Sequence, residues 1–310
     1  MENNNFLIIA GTYKSGTSSL FTYLNQLSFF NGSKIKETGF FVPIRYKQNI
    51  KSQEHYLNYF DTNNEGIKLE ASPGYLYGGE SIAKGINNYL NRDVKYIFIL
   101  REPTDRLISF YKMLNNGLIN DYPNQFINKE TSLKDYINIC TTIEQKNENE
   151  KIEYVLNGVD DGMYYKYLSQ WYSCVDSSNI KIIFFDDIEK NPRNVCEKIL
   201  QWLNLDANEL DKIDFRIVNQ SKKHKNETLR KFSKYVNRKF EKFWRKNDKF
   251  KSKIVRLYAM VNTKKSDNQN IFENEMQKLN DLYREDLRNL KKLLLSKQYN
   301  NLPDWLEKLD

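Results

Sequence analysis

The sequence predicts an α/β fold with three layers, in which helices cover both faces of a central parallel sheet. Short apolar stretches of strand length recur along the 310 residues, and longer stretches with apolar residues at helical spacing separate them. This alternation is typical of parallel strands that are joined by helices. The stretch Val94–Leu100 is almost wholly apolar, as expected of a central strand that is buried on both faces.

Each element is predicted from its own segment of sequence. Strands are expected at Phe6–Ala10, Ile67–Glu70, Val94–Leu100 and Lys181–Phe185. Helices are expected at Thr17–Leu27, Glu80–Leu90, Thr104–Asn115, Met163–Cys174, Pro192–Leu203 and Glu273–Lys297. Residues 116–160 are rich in polar side chains, so they are predicted to form an irregular insertion.

Length and composition favour one domain over residues 1–310, because a chain with 40% hydrophobic residues can bury a full core. Residues 222–265 are expected to form a basic helical arm, and residues 266–310 a C-terminal helix and tail. The three cysteines are an odd number at spacings that match no zinc or disulfide framework. Together with the lack of a basic leader and of an apolar run of about 18 residues, they predict a cytoplasmic protein.

The net charge of +8 is concentrated in the arm, where Lys222–Lys265 contains 17 Lys and Arg residues against 3 Asp and Glu. Phe232, Val236, Phe240 and Phe243 recur there at helical spacing, which predicts an amphipathic basic helix. Such a helix is suited to an anionic membrane or a polyanionic polysaccharide. The alternative is a helix packed on the domain with a solvated basic face. No nucleic acid partner is expected, because an aromatic stripe at this spacing is more typical of a core.

A phosphate-binding turn is predicted between the first strand and the first helix. The segment Gly11-Thr-Tyr-Lys-Ser-Gly-Thr-Ser18 keeps the glycine spacing of a Walker A loop, but Thr17 stands in the lysine position and Lys14 lies inside the turn. This P-loop-like pattern suits a nucleotide with a transferable group on one 5′-phosphate. Lys14 is placed to meet the oxygen on which leaving-group charge develops. The phosphate itself is expected to bind at the positive helix end, to backbone N–H groups of Lys14, Ser15, Gly16, Thr17 and Ser18. The alternative is a turn without a ligand.

Arg101 directly follows the best predicted strand. Ligands of open α/β sheets bind at the carboxyl ends of the strands, so Arg101 is expected to bind a phosphate. Ser109, two turns along the following helix, can add a hydroxyl donor. The alternative is an Arg101 ion pair with a carboxylate and a surface Ser109.

A carboxylate next to two lysines forms the third candidate element. In Lys34-Ile-Lys-Glu-Thr-Gly-Phe-Phe41, Lys34 and Lys36 precede Glu37 and would keep its carboxylate ionised. Glu37 is then a candidate base for an acceptor hydroxyl. A solvated Lys–Glu pair is the alternative.

These segments together resemble the sulfotransferases. Gly11–Ser19 resembles the 5′-phosphosulfate-binding loop of that family, and Arg101–Tyr111 resembles its 3′-phosphate-binding segment. Lys36-Glu37 followed by Phe40-Phe41 resembles the catalytic-base segment of the heparan sulfate and related carbohydrate sulfotransferases. Glu70-Ala-Ser-Pro-Gly-Tyr75 is similar to their Glu-Lys-Ser-Pro-x-Tyr stretch. Further similar segments follow in the same order, at Gly162–Trp171, Ile182–Ile188, Asn219–Lys225 and Leu302–Leu306.

The resemblance implies transfer of a sulfuryl group from 3′-phosphoadenosine 5′-phosphosulfate (PAPS) to a hydroxyl or amine of a carbohydrate, with the bisphosphate PAP as product and no metal. A glycan or glycolipid acceptor is implied. In these roles Glu37 is the base, Lys14 stabilises the leaving nucleotide and Lys36 assists at the sulfuryl group.

The resemblance also implies that Arg101, Ser109 and a loop with Lys222 and Lys223 bind the 3′-phosphate. The chain departs from the glycosaminoglycan enzymes at Ala71, where they have a lysine, and it lacks their membrane anchor and cysteine pair. A bacterial-type cytosolic enzyme, with peripheral contact at the inner membrane face through the arm, therefore fits better than a secretory-pathway enzyme. A P-loop nucleotide kinase and a basic membrane- or polyanion-binding module stay open as alternatives.

Overall fold

A parallel sheet of five strands lies at the centre of the protein. The computed structural model describes residues 6–91, 94–115, 126–143, 150–215, 223–224, 263–264 and 273–309. The strands are β1 Phe6–Gly11, β2 Phe30–Gly32, β3 Ile67–Ala71, β4 Val94–Leu100 and β5 Ile180–Phe184. Their order is β2-β3-β1-β4-β5, and every neighbouring pair is parallel. The carboxyl ends of β1, β3 and β4 therefore meet at one edge of the sheet.

Helices connect and cover these strands. In the described residues they are α1 Thr17–Leu24, α2 Val42–Arg45, α3 Gln53–Leu57, α4 Gly79–Leu90, α5 Pro103–Asn115, α6 Leu133–Thr142, α7 Glu150–Leu156, α8 Tyr164–Tyr172, α9 Phe185–Lys190, α10 Pro192–Trp202, α11 Glu273–Ser296 and α12 Asp304–Glu307. Short 3₁₀ helices lie at Pro73–Gly78, Asp160–Gly162, Ser177–Asn179 and Asn208–Lys212. Pro103 and Pro192 each open a helix at the first position, where the missing N–H is not needed.

The core is divided by the sheet into two apolar clusters, because successive side chains of a strand point to opposite faces. Ile8 of β1 belongs to one cluster and Ile9 to the other. The first cluster continues into α4, α5, α8 and α11, and the second into α1 and α10. Helices therefore cover both faces of the sheet, and the predicted three-layer α/β fold is confirmed.

The four predicted strands and six predicted helices are all present, with ends within three residues of those expected. Strand β2 was not predicted, because a three-residue edge strand is too short to show an apolar pattern. An edge strand of this length is stabilised by pairing with its neighbouring strand rather than by the local preferences of its own residues.

The prediction of an irregular insertion over residues 116–160 is wrong for much of that segment, because α6 and α7 lie within it. The Oγ of Ser132 caps α6 by accepting the Asp135 N–H at 3.1 Å. Tyr136, Ile137 and Cys140 of α6 are buried, at helical spacing. The many polar residues hid this spacing. Residues 116–125 and 144–149 lie outside the described part.

Two compact units make up the chain, Met1–Asn219 together with Ile271–Asp310, and Gln220–Asn270. The first unit contains the five-stranded sheet. In the second, the described residues are an antiparallel pair of short strands, β6 Lys223–His224 and β7 Thr263–Lys264. The helix predicted for the basic arm lies outside the described residues, and the single domain expected over residues 1–310 stays a prediction.

No helix in the described ranges is both long enough and apolar enough to cross a bilayer.

Candidate active site

Two glycines shape the turn between β1 and α1. Gly16 has φ +85°, a left-handed conformation that disfavours side chains, and a Cβ there would lie 3.1 Å from the Phe185 ring. A Cβ on Gly11 would lie 2.9 Å from the Cβ of Leu76 and 3.2 Å from the Phe98 ring. The backbone can follow this tight path only because both positions lack a side chain.

Hydroxyl groups hold the inside of the turn. Thr12 Oγ1 donates to the Ile99 carbonyl oxygen at 3.0 Å and lies 2.6 Å from Ser15 Oγ. Thr12 and Ser15 are fully buried. Helix α1 then starts at Thr17 with no side-chain cap from Gly16 and no acidic residue in its first turn. The first N–H groups and the positive end of the helix are therefore suited to an anion such as a phosphate.

Arg101 lies against this turn at the carboxyl end of β4. Its Nη1 donates to the Lys14 carbonyl oxygen at 3.2 Å, and its guanidinium carbon lies 4.5 Å from the centroid of the Phe185 ring. The carbonyl oxygen of Arg101 accepts the Tyr164 hydroxyl at 2.7 Å. These three contacts fix the arginine beside the turn from both its backbone and its side chain.

The Lys14 ammonium lies among other charges. Burial lowers the pKa of Lys14, the Arg101 guanidinium and Lys36 lower it further, and the Glu37 carboxylate opposes them. These four groups come from three separate segments of the chain. The fold thus brings Lys14, Arg101, Lys36 and Glu37 into one electrostatic environment.

Glu37 lies in the loop that follows β2. Lys36 Nζ is 2.5 Å from Glu37 Oε1, and the Glu37 side chain is 52% exposed. The Glu37 backbone is tied to the sheet, because its N–H donates to the Ala71 carbonyl oxygen at 2.9 Å. Its φ is +63°, which is uncommon for a glutamate and indicates that tertiary contacts set this loop.

A buried carboxylate stabilises the same loop through hydrogen bonds. Glu70 on β3 is fully buried and accepts hydrogen bonds from four hydroxyl groups, those of Thr38, Tyr56, Ser72 and Tyr75. Thr38 directly follows Glu37, and Ser72 Oγ accepts the Gly39 N–H at 3.1 Å. Burial, followed by the Glu70 charge, raises the pKa of Tyr56 and of Tyr75 far above the ordinary value. Both tyrosines therefore stay protonated and donate to Glu70.

A pocket of about 330 Å³ lies beside Glu37. Tyr13 of the turn between β1 and α1 forms one wall. Its ring stacks on Tyr77 at a centroid distance of 5.2 Å and meets Tyr154 edge-on, also at 5.2 Å. One residue of the turn thus connects the predicted nucleotide site to the pocket, whose size is at the lower end for small-molecule sites, about 300–1,000 Å³.

Further charged residues line this pocket. Arg45 of α2 forms an ion pair with Glu153 of α7, and both side chains are largely buried. Asp161 is 2% exposed, and burial raises its pKa to about 7. Arg106 and Arg45 work against this rise, whereas Glu153 and Asp160 add to it.

The structure describes three of the four remaining predicted site residues. Ser18 is half-buried in the first turn of α1, and Ser109 is half-buried on α5. Lys222 lies outside the described residues, and Lys223 is described only as part of β6. Binding of a 3′-phosphate by these two lysines stays a prediction.

Sequence reasoning missed the pocket residues Arg45, Glu153, Asn157 and Asp161. Two of them, Glu153 and Asn157, lie in or just after α7, within the segment that was expected to be irregular, and Asp161 lies directly beyond that segment. The apolar residues Ile152, Val155, Leu156 and Val159 recur in the sequence at spacings of three and four, which indicates a helix. That signal could have found α7, but not its pairing with Arg45.

The fold and the site define an α/β protein with a turn suited to an anion after the first strand and a candidate base beside a small pocket. The chain belongs to the sulfotransferase family, because the family model for the sulfotransferase domain matches residues 5–289.

Curated relatives and solved structures agree with this family. The bifunctional heparan sulfate N-deacetylase/N-sulfotransferase 1 of Caenorhabditis briggsae is 25% identical over 205 residues, which are 64% of this chain and 22% of that protein. Sulfotransferase 1A1 of Rattus norvegicus is 20% identical over 202 residues, 64% of this chain and 59% of that protein. The chain thus spans only part of the length of these relatives.

A sulfotransferase structure from Alicyclobacillus acidocaldarius has the same fold. It is similar with a TM-score of 0.55 and 22% identity, over 70% of this chain and 87% of that chain.

Proposed function

We propose that this protein transfers a sulfuryl group from PAPS to a hydroxyl of a carbohydrate acceptor. The observation that carries the proposal is that Tyr13, from the turn that contains Lys14, and Glu37 line the same pocket. An anion site and a candidate base on one pocket are what such a transfer requires. Membership of the sulfotransferase family supports the same reaction class.

The residues of the turn fit the donor. The uncapped start of α1, with Ser15, Gly16, Thr17 and Ser18, would hold the 5′-phosphate. Arg101 and Ser109, with the predicted lysines at 222 and 223, would hold the 3′-phosphate. When bound, PAPS supplies the sulfuryl group.

The chain's own groups have distinct tasks in this proposal. Glu37 takes the proton from the acceptor hydroxyl at its carboxylate, and Lys36 keeps that carboxylate in place through their ion pair. Lys14 stabilises the negative charge that develops on the phosphate, and we propose that Lys36 also assists at the sulfuryl group. No metal takes part in these roles.

A carbohydrate acceptor is supported by the hydroxyl-lined and tyrosine-lined pocket and by the heparan sulfate enzyme among the relatives. We retain a bacterial-type cytosolic enzyme as part of the proposal, with an amine as the alternative acceptor group.

The donor half is tested by calorimetry with two nucleotides. A charge-assisted contact to the 3′-phosphate contributes about 1.5–3 kcal/mol, so PAP should bind at least about tenfold more tightly than adenosine 5′-monophosphate. Arg101→Ala should remove most of this preference. Arg193→Ala, at a surface ion pair with Asp211, is the matched control and should keep it. Equal affinities of the wild-type protein for the two nucleotides would contradict the proposal.

The transfer itself is tested by incubating the protein with PAPS and a panel of glycosides, without added Mg²⁺. Mass spectrometry should detect a sulfated glycoside together with PAP. A nucleotide kinase would instead need Mg²⁺ and a nucleoside triphosphate, so the same assay with ATP and Mg²⁺ separates the two activities.

A further inference from the structure

Two aspartates, Asp160 and Asp161, are adjacent in the chain but differ in the use of their carboxylates. Asp160 accepts hydrogen bonds from Lys166 Nζ at 2.8 Å and from the Tyr167 hydroxyl at 2.9 Å. The carboxylate of Asp161 forms neither a hydrogen bond nor an ion pair with the residues that the structure describes. Asp161 is nevertheless 2% exposed, and buried polar groups in folded proteins are nearly always hydrogen-bonded.

The charge of Asp161 is compensated, although its oxygens have no hydrogen-bond partner. The guanidinium groups of Arg106 and Arg45 favour its ionised form electrostatically. Their hydrogen bonds go elsewhere, because Arg45 pairs with Glu153 and Arg106 donates to the Gly158 carbonyl oxygen. An ionised carboxylate can accept about four hydrogen bonds. Asp161 can therefore be charged in the interior and still offer its acceptor positions to a ligand.

The oxygens of Asp161 have access to the pocket, which Asp161 lines together with Glu37. In the described part of the chain, the buried side-chain atoms that are both sealed and unpaired belong to Arg106, Asn157 and Tyr172. The Asp161 oxygens are unpaired but are not sealed, and the open space beside this residue is the pocket. An unpaired carboxylate thus borders the same cavity as the candidate base.

Tyr13 shows that one bound unit can contact both carboxylates. Burial raises the pKa of Tyr13 most, followed by Tyr154 and then Asp161, and Glu37 adds to the rise. Both carboxylates are therefore close enough to Tyr13 to affect its hydroxyl. The pocket that these residues line has a volume of about 330 Å³, which suits a single small unit.

We propose that Asp161 is a second acceptor-binding carboxylate, which accepts a hydrogen bond from a sugar hydroxyl other than the one that Glu37 deprotonates. A sugar that is bound through two hydroxyls has a fixed orientation, so Asp161 determines which hydroxyl meets the base. This assignment rests on the proposed function, since it concerns the acceptor of that same reaction.

The test measures binding of methyl glucoside to the PAP-loaded protein by NMR titration, together with the derivatives that lack one hydroxyl each. In the wild-type protein, the derivative without the hydroxyl that Asp161 binds should bind at least about tenfold more weakly, because hydrogen bonds to charged groups are strong. In Asp161→Ala this difference should fall to within about twofold, because the partner is missing. In Glu37→Gln the same difference should persist.

Two further variants separate this contact from general stability. Asp161→Asn keeps the shape of the side chain, so it tests the assignment even if Asp161→Ala does not fold. It should reduce the difference at least about threefold, because a neutral acceptor forms a weaker hydrogen bond. Asp211→Asn, at a surface ion pair with Arg193, is the matched control and should keep the wild-type difference. PAP affinity should be unchanged in Asp161→Asn and in the control.

The outcomes distinguish this assignment from the proposed function. Methyl glucoside binding with the same hydroxyl preference in wild type, Asp161→Ala and Asp161→Asn would overturn the role of Asp161 and leave water as the partner of its carboxylate. Binding of PAP without binding of any of these sugars would also overturn it, while the donor site stays intact. A wild-type protein that does not bind PAP would contradict the proposed function itself.

Discussion

Lys14 and Glu37 belong to different loops, and the Glu37 carboxylate affects the ionisation of Lys14. Glu37 raises the pKa of Lys14, while burial, Arg101 and Lys36 lower it. Because these influences on its pKa oppose one another, Lys14 keeps its charge when a phosphate is bound beside it. It loses its proton more readily when no anion is bound. The two residues give predictions that separate binding of the donor from proton transfer.

Glu37→Gln should bind PAP nearly as the wild type does and transfer sulfuryl groups about 10²–10⁴-fold more slowly, because the amide cannot take the acceptor proton. Single-turnover assays with PAPS and an accepted glycoside measure the chemical step, and calorimetry measures PAP affinity. Glu54→Gln, an exposed glutamate on α3, serves as the control. Turnover above about one third of the wild-type value in Glu37→Gln would exclude Glu37 as the base.

Lys14 should couple PAP binding to a proton. Because its pKa is lowered from 10.5 in the free protein and a bound phosphate favours the ammonium form, binding should take up protons at alkaline pH. PAP affinity should accordingly fall as the pH rises towards 10.5. Calorimetry in two buffers of different ionisation enthalpy measures the uptake.

Lys14→Met should abolish this proton uptake and weaken PAP binding. Lys84→Met, at an exposed lysine of α4, should leave both unchanged. Uptake that persists in Lys14→Met would assign the proton to another group.

At the scale of elements, the loop with Glu37 depends on the strand beside it. The carboxylate of Glu70 on β3 accepts a hydrogen bond from the Thr38 hydroxyl, and Ser72 Oγ accepts one from the Gly39 N–H. Glu37 itself donates its N–H to Ala71 at the end of β3. The orientation of the candidate base is therefore determined by a neighbouring strand, and Glu70 is a positioning residue that acts through the loop.

Glu70→Gln should lower stability by about 1–3 kcal/mol, because the amide cannot accept all the hydroxyl donors that the carboxylate accepts. We also expect a lower kcat at nearly unchanged PAP affinity, since the loop and not the donor site is loosened. Denaturant unfolding and steady-state kinetics measure the two effects. A variant with lower stability but unchanged kcat would leave Glu70 with a structural role alone, and Glu65→Gln, on an exposed loop, controls for the change of charge.

At the scale of the whole molecule, the excess positive charge and the candidate active site lie in different parts of the chain. The basic arm at 222–265 falls almost entirely within the unit Gln220–Asn270, whereas the sheet, the turn and the pocket belong to the other unit. The net charge of +8 therefore comes from the arm, and two of the carboxylates that line the pocket are paired with cations of the other unit, Lys36 with Glu37 and Arg45 with Glu153.

The arm should bind anionic surfaces without affecting the donor site. Each basic residue near an anionic lipid surface contributes about 1 kcal/mol, so glutamine at Arg238, Lys239, Lys242 and Arg245 should reduce flotation with phosphatidylserine vesicles at low salt. PAP affinity should stay at the wild-type value. Wild-type protein that binds neither anionic vesicles nor a polyanionic glycan at low salt would leave the arm with a solvated basic face.

Much of the fold was predictable because strands and helices leave periodic patterns in sequence. Strand β4 was predicted with its observed ends, since a run buried on both faces is apolar throughout. Helix α7 was not predicted, because the polar residues around it obscured the spacing of Val155 and Val159. Local polarity is therefore a weaker guide to helices than periodicity.

The sequence alone determined the layered α/β fold, the turn at Lys14 and the position of Arg101 at a strand end, because each depends on short-range pattern and on the rule that parallel strands share a carboxyl edge. Tertiary structure decided what surrounds them. The pairing of Arg45 with Glu153 spans 108 residues, and the support of Thr38 by Glu70 spans 32. Contacts at such separations arise from packing of distant elements, and no local pattern in the sequence specifies them.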